Sequence, residues 1–235
     1  MNALAFPLRG MFLKHYSRRE RVVADACQVI FFRANEPYRV SHPIAGGDDC
    51  LVIAPSDDTM QDILGAEQFA QTHATLGARL LAVPRILRHR LVHRMTSPLE
   101  ADETALDLFA AAVSAKASPS ARSRQRDMVE ATKISLAAQP GEAWSLHTLA
   151  RCVYSSPFHL ARTFTRLAGM PLHRYHLQMR LAAALVEVLD SSREFGAIAL
   201  DLGFSNHSHF TFTFRRMFGA TPAALRKEGK IPTAP

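Results

Sequence analysis

Two stretches in the second half of this 235-residue chain repeat each other at an offset of 49–50 residues. Leu149-Ala150 falls on Ile198-Ala199, Phe164 on Phe214 and Gly169 on Gly219. Each copy reads as a short helix, a tight turn, a second helix of about three turns, a glycine and then a proline, which is a helix-turn-helix unit. Ala150 and Ala199 are small enough to let the paired helices approach, and Phe164 and Phe214 fill the space between them. The punctuation is strong. Ser145 is the expected N-cap of a helix reaching Val153, and Ser156-Pro157 places a capping serine before a proline at the first helical position. Gly169 suits a left-handed C-terminal cap. Pro171 to Leu189 reads as a longer helix. Ser191-Ser-Arg-Glu194 fits a capping box opening a helix closed by Gly203. Ser205 or Asn206 caps the next, which ends at Gly219, and Thr221-Pro222 opens a last short one. Arg122 to Ala138 adds a helix ahead of Pro140-Gly141. His209 to Phe214 alternates like a strand, yet Phe210, Phe214 and Met217/Phe218 also fall at helical spacing. The caps on both sides decide for helix and leave Phe212 on the opposite face.

The connecting helix of 19 residues is ~28 Å long at ~1.5 Å per residue. That length can hold the two second helices about one turn of B-DNA apart, ~34 Å. Charge points the same way. Residues 1–119 hold 13 Lys and Arg against 13 Asp and Glu, whereas residues 120–235 hold 15 against 8, so the whole net charge of +7 sits in the second half. A basic half joined to a neutral one fits a polyanionic partner for the former, although a basic surface also serves solubility.

Residues 122–227 resemble the DNA-binding domain of the AraC/XylS family of bacterial transcription regulators. The resemblance is carried by Leu149-Ala150, Ser156-Pro157-Phe158-His159-Leu160, Arg162-Thr163-Phe164, Gly169, Pro171, Tyr175, Arg180-Leu181, Ala184, Ile198-Ala199, Gly203-Phe204, Ser208-His209-Phe210, Phe214-Arg215-Arg216, Phe218-Gly219, Pro222 and Arg226. It implies double-stranded DNA as partner, with the second helix of each unit reading base edges, and RNA polymerase as a further partner of an activator. The outward positions expected at the DNA are Phe158, His159, Ala161, Arg162 and Arg166 in the first unit. In the second they are Asn206, His207, Ser208, His209 and Phe212. Arg162 is the candidate for bidentate contact with guanine, and Phe158 for apolar contact with thymine methyls or else for burial. Phe212 stands where such proteins often carry a basic or polar residue, so readout by the second unit is absent or apolar and water-mediated. Arg215 and Arg216 are expected at phosphates. Leu160, Phe164, Leu167, Phe210, Phe214 and Phe218 are expected in the core.

The first half reads differently. Arg21 to Ala24, Gln28 to Phe32, Tyr38 to Ser41 and Cys50 to Ala54 are strand-like runs separated by Asn35-Glu36-Pro37 and Gly46-Gly47-Asp48-Asp49, which suggests a small antiparallel meander. Ser56 or Asp57 caps a helix with Met60, Ile63, Leu64 and Phe69. Leu80 to Val83 is a further candidate strand, and Pro84 to Met95 a helix with Ile86, Leu87, Leu91 and Met95 on one side. Ser97 caps a helix over Pro98 to Lys116 whose apolar stripe is Leu99, Leu106, Phe109 and Val113. Residues 15–58, through the stretch from Ile30 to Leu51, resemble the β-rich, cupin-like sensory region of short members of the same family. That implies a small-molecule effector site, with only 35–40 residues of strand region to build it. A homodimer through 99–116 is also implied, against intradomain packing of the same stripe. The expected fold class is α+β. A small antiparallel, partly cupin-like β domain with helices occupies 1–116, a linker 117–121, and an all-α domain of about seven helices with two helix-turn-helix motifs 122–235.

Candidate metal ligands are His89 and His93, at i and i+4 on one helix, and His42 with Cys50 across the Gly46-Gly47 turn, with His15 and Cys27 upstream. Neither set supplies three convergent ligands, and Arg85, Arg88, Arg90 and Arg94 surround His89, so no metal or other cofactor is expected. Three cysteines (Cys27, Cys50, Cys152) are too scattered for a disulfide framework and fit a reducing cytoplasm. No apolar run reaches the ~18–20 residues of a membrane span. There is no Gly-rich phosphate loop, Ser/His/Asp set or paired carboxylates at active-site spacing, so the chain is read as a non-enzyme. The competing readings are a cupin-like metal-dependent enzyme or metal/redox sensor with an appended DNA-binding module, and a sequence-neutral architectural DNA binder.

Overall fold

The computed structural model describes residues 1–17, 20–65, 69–115 and 123–228. The linker expected at 117–121 lies outside them. The N-terminal half contains β1 (Ala3–Gly10), β2 (Phe12–His15), β3 (Arg21–Ala24), β4 (Gln28–Phe32), β5 (Arg39–Ser41), β6 (Asp48–Ile53), α1 (Asp57–Leu64), β7 (His73–Thr75), α2 (Ala78–Val92) and α3 (Pro98–Val113). The C-terminal half contains α4 (Ser123–Ala138), α5 (Leu146–Cys152), α6 (Pro157–Ala168), α7 (Leu172–Asp190), α8 (Phe195–Asp201), α9 (His207–Phe218) and α10 (Pro222–Glu228). The α+β class, with seven helices among the described residues of the second half, agrees with the sequence reading. No helix among the described residues is long and apolar enough to cross a membrane.

The strands form two antiparallel sheets, β6-β1-β4-β7 and β3-β2-β5, rather than one meander. β1, β2 and β7 are strands beyond those expected from the sequence. β1 lies at the centre, with Ala5 opposite Ile30 of β4 on one side and Val52 of β6 on the other. Its alternation sorts side chains between two cores. Leu4, Phe6 and Leu8 join the large core with the helices, and Ala5 packs with Phe12, Ala24 and Ile30 between the sheets. The chain passes from the first sheet to the second at Gly10, whose φ is +66° and whose Cβ would stand 2.0 Å from the Gly47 carbonyl oxygen, so only glycine fits.

Three further expectations need correcting. Leu80 to Val83 is not a strand but part of α2, which runs through Pro84. Proline normally ends a helix by removing a hydrogen bond. Here Leu81, Ala82, Arg85 and Ile86 keep one buried face across it, and packing overrides the break. In α3 the buried face is Leu108, Phe109 and Ala112, while Leu99 and Leu106 are exposed. The residues 191–194 form no capping box: Ser191 closes α7 by donating its hydroxyl to the Glu187 carbonyl, and Glu194 precedes α8 with no side-chain cap. The Ser56 and Ser97 caps are present as expected.

One hydrophobic core runs without interruption from Leu4 in β1 to Leu225 in α10, so the halves are docked on each other. Buried polar groups fix that docking. Asp25, fully buried, accepts from the Tyr175 hydroxyl of α7 at 2.6 and 2.9 Å and from the Cys27 amide at 2.9 Å. The Lys133 ammonium of α4 lies 5.3 Å from the Tyr175 ring centroid, with its pKa lowered by burial. Within the N-terminal half, Arg85 ties α2 to the strands by donating to the carbonyls of Leu81, Pro7, Leu8 and Ala26, and burial pushes its pKa down to about 10. A second seam is ionic: Arg21 reaches Glu130 at 2.8 Å, and Arg9 and Arg88 reach Asp190 at 3.6 and 3.2 Å.

His73 in β7 gives this fold a pH dependence. Burial first, and Lys133 second, hold its imidazole down at about 4, against 6.5 for a free side chain. Between those values the unfolded chain takes a proton that the folded chain refuses, so stability is full above ~6.5 and falls as pH drops toward ~4. The urea midpoint should decline across this window in the natural chain and decline less in His73→Asn. Equal declines would show that His73 does not carry the effect.

Candidate nucleic-acid interface

The two repeated units close their turns with the same bonds. The Ser155 amide donates to the Ala150 carbonyl at 2.9 Å, and the Phe204 amide to the Ala199 carbonyl at 2.9 Å, an offset of 49. The N-caps then match at an offset of 50: Ser156 Oγ accepts from the His159 amide at 3.2 Å, and Asn206 Oδ1 from the His209 amide at 2.8 Å. Ser205 is therefore the extra residue of the second turn. Both turns need a positive φ at the same place, 51° at Tyr154 and 72° at Gly203. Leu149, Ala150, Ile198 and Ala199 are buried where the short helices meet the long ones.

The inward faces of α6 and α9 match the sequence reading. Leu160, Phe164 and Leu167 are buried, as are Phe210, Phe214 and Phe218. Phe214 packs at 5.5 Å from Phe210 and 4.8 Å from Phe218, ring to ring. The strut α7 anchors both units. Tyr175 meets Phe164 edge to face at 5.2 Å, and the Arg180 guanidinium lies 4.3 Å from the Phe204 ring and donates to the Leu202 carbonyl. Arg226 likewise stands 4.0 Å from the Phe195 ring and donates to the Val188 carbonyl at 3.0 Å. These two arginines are spent on packing, and neither is a free cation for a ligand.

The outward faces are open. Phe158 is 75% exposed, which removes burial as its role, and Phe212 is 67% exposed. His159, Arg162, Arg166, Asn206, His207, Ser208, His209, Arg215 and Arg216 are exposed, and Ala161 is half-buried. Arg162, Arg215 and Arg216 make no ion pair among the described residues, while Arg166 bonds Gln125 of α4 at 2.8 Å. His207 stacks on Phe195 and lies 3.3 Å from the Thr211 hydroxyl, and His209 lies 3.1 Å from Ser205 Oγ. Neither α6 nor α9 contains an acidic residue. Each therefore presents hydrogen-bond donors and positive charge with no local repulsion of a phosphate backbone. At an offset of 50, His159 matches His209 and Arg166 matches Arg216, but Arg162 matches Phe212. The two helices share one histidine and one arginine and differ at Phe158/Ser208 and Arg162/Phe212. Tyr154, 93% exposed at the first turn, is a surface aromatic that the sequence reading passed over; its alignment with Gly203 was the available signal.

The other candidate ligands fall in the N-terminal half. His42 Nε2 and Cys50 Sγ both meet the Asp48 carboxylate, at 2.5 and 3.0 Å. Burial, then Asp48, pushes the Cys50 thiol well up, and Cys27 is fully buried and raised by the same first cause, so neither is a ready thiolate. His15 Nε2 lies 2.7 Å from Ser41 Oγ. His89 and His93 do share a face, with ring centroids 4.5 Å apart.

Comparison with known proteins adds to this geometry. Residues 149–228 match the model of a family described as a helix-turn-helix domain. The bifunctional transcriptional activator/DNA repair enzyme AdaA of Bacillus subtilis (strain 168) is 33% identical over 90 residues, which are 38% of this chain and 43% of that protein. This chain thus covers less than half of AdaA. The probable transcription factor PqrA of Proteus vulgaris is 33% identical over 94 residues, 40% of this chain and 77% of that protein. Among solved structures, an AraC-type transcriptional regulator from Chromobacterium violaceum is similar at 27% identity and a TM-score of 0.43, over 48% of this chain and 100% of that one.

The matched turns make a paired test. A non-glycine residue in the left-handed region costs ~1–3 kcal/mol. Tyr154→Gly should leave stability unchanged or raise it by up to about 1 kcal/mol, because relief of strain is partly offset by unfolded-state entropy. Gly203→Ala should lower stability by at least about 1–3 kcal/mol, since a Cβ there would also lie 2.2 Å from the Gly141 carbonyl oxygen. Chemical denaturation of both variants checks this, and equal losses would contradict the equivalence of the turns.

Proposed function

The chain belongs to the AraC/XylS family of bacterial transcription regulators, and we propose that it acts by inserting α6 and α9 into two successive major grooves of one DNA duplex. The observation that carries this reading is the repetition itself. Two units with matching turn bonds and N-caps each expose an acid-free, cationic helix, and a 19-residue helix, ~28 Å long, joins them. A duplicated exposed helix has no use in a fold that needs only one hydrophobic core. Its residues suit base edges and phosphates.

In this reading residues 1–116 form the regulatory half and 122–235 the DNA-binding half, joined at 117–121. Arg162 takes a guanine and Phe158 a thymine methyl. His159, Ala161, Asn206, His207, Ser208 and His209 line the grooves, and Phe212 makes the central contact of the second helix through apolar surface. Arg166, Arg215 and Arg216 hold phosphates. The site is asymmetric and spans ~20 bp, since two helices one duplex turn apart cover about that length. The protein works in the bacterial cytoplasm as an activator, with RNA polymerase as its second partner. A small-molecule effector fits the cavity of about 370 Å³ between the two sheets, lined by Ala3, Ala5, Phe12, Phe32, Tyr38, Val40 and Cys50. Leu99 and Leu106, exposed on α3, support a homodimer through 99–116.

Hydroxyl-radical footprinting on a selected site should give two protected windows about one helical turn apart, and affinity should fall steeply with salt as counterions are released. A single protected window, or an affinity indifferent to salt, contradicts the proposal. Arg162→Ala should cost ~1–3 kcal/mol and relax preference at one base pair, whereas a uniform loss across all sequences would reassign it to a phosphate.

A further inference from the structure

The pair His89 and His93 acquires a third partner from the other half of the chain. His89 Nδ1 lies 3.1 Å from Oδ1 of Asp190, the last residue of α7. Among the described residues, His89, His93 and Asp190 are the one group of three whose ligand atoms all lie within 4.8 Å of one another. We propose that these three side chains bind a divalent transition cation such as Zn²⁺, which bridges α2 to the end of the strut α7.

The donor set suits that ion class. Two imidazoles and a carboxylate, with a fourth position left to water, match zinc and its borderline neighbours rather than Mg²⁺ or Ca²⁺, which prefer all-oxygen shells. Bonds of ~2.0–2.1 Å in a tetrahedral shell place neighbouring donors ~3.3 Å apart. The His89–Asp190 separation is already close to that, and His93 is exposed and free to turn inward. The carboxylate has outer support: its Oδ2 is held by Arg88 at 3.2 Å and Arg9 at 3.6 Å, leaving Oδ1 toward the histidines.

The surrounding arginines do not forbid a cation. Arg85 turns away, into the carbonyls of Leu81, Pro7, Leu8 and Ala26. Arg90 pairs with Glu100 at 2.7 Å, and Arg88 is shared with Asp49 at 2.9 Å. Arg9 is also shared with Glu187 at 3.4 Å, and Arg193 with Glu187 and Asp201. Arg94 remains as an exposed positive charge nearby. Two long helices, α2 and α7, also end at the site, at Val92 and Asp190, and the partial negative charge of each C-terminus favours a cation there.

Titration calorimetry of the metal-stripped full chain with Zn²⁺ alone tests this, with Co²⁺ as a spectroscopic probe. One site per chain is expected, with intense visible Co²⁺ bands of a four- or five-coordinate ion. His93→Ala, an exposed substitution that spares the packing, should weaken binding by at least about tenfold and abolish the bands. Asp190→Asn should do the same, and His42→Ala should change neither. Binding that is absent in the natural chain, that survives intact in His93→Ala, or that disappears in His42→Ala instead would overturn the site.

Discussion

A single buried carboxylate sets the arrangement of this molecule. Asp25 sits at the turn between β3 and β4, sealed from water, and its oxygens are taken by the Tyr175 hydroxyl and the Cys27 amide. A charge in that position is tolerable only while its partners stay in place, because an unpaired buried ion costs several kcal/mol. Tyr175 belongs to the strut that anchors both helix-turn-helix units, and its ring also meets Phe164 of α6. The β-rich half therefore grips the strut at the point where the strut grips α6. The burial of Lys133 and Gln28 beside this contact extends the same constraint to α4 and β4.

The two helix-turn-helix units are alike in construction and unlike in chemistry. The cap positions and turn bonds repeat and Phe164 falls on Phe214, while the exposed position between them changes from Arg162 to Phe212. A guanidinium reads hydrogen-bond acceptors with direction, and a phenyl ring reads shape and methyl groups with little. In the proposed reading, the first unit supplies most of the discrimination, and the second supplies attachment through Arg215, Arg216 and its histidines.

Legibility in the sequence followed the physics of each segment. The C-terminal half was readable because its signals are local: serine and asparagine caps, closing glycines, and phenylalanines at helical spacing. Even the alternating run from His209 to Phe214 yielded once its flanking caps were weighed. The capping box expected at 191–194 is absent because α8 starts only at Phe195, which puts Glu194 at the N-cap instead of in the first turn, while Ser191 Oγ closes α7 and accepts from the Arg193 amide. The N-terminal half was harder because its central strand is disguised. In β1 the residues facing the second core include Ala5, and Pro7 interrupts the run, so propensity argues against a strand. Pairing with β4 ends at Ala5 and the β6 ladder is irregular between Pro7 and Arg9, and this is how the proline is accommodated. Pro84 misled in the same way inside α2. Asp190 was beyond reach as a partner for His89, since about a hundred residues separate them and only tertiary docking brings them together.

The uninterrupted core has a consequence for modularity. A graft that exchanged the N-terminal half would cut at the junction. Here the cut would leave Tyr175 without its acceptor, Lys133 without its burial, and a long apolar flank of α7 against water. A chimaera would keep its two helix-turn-helix units in register only if the incoming module brought a sealed acid to the place that Asp25 now holds.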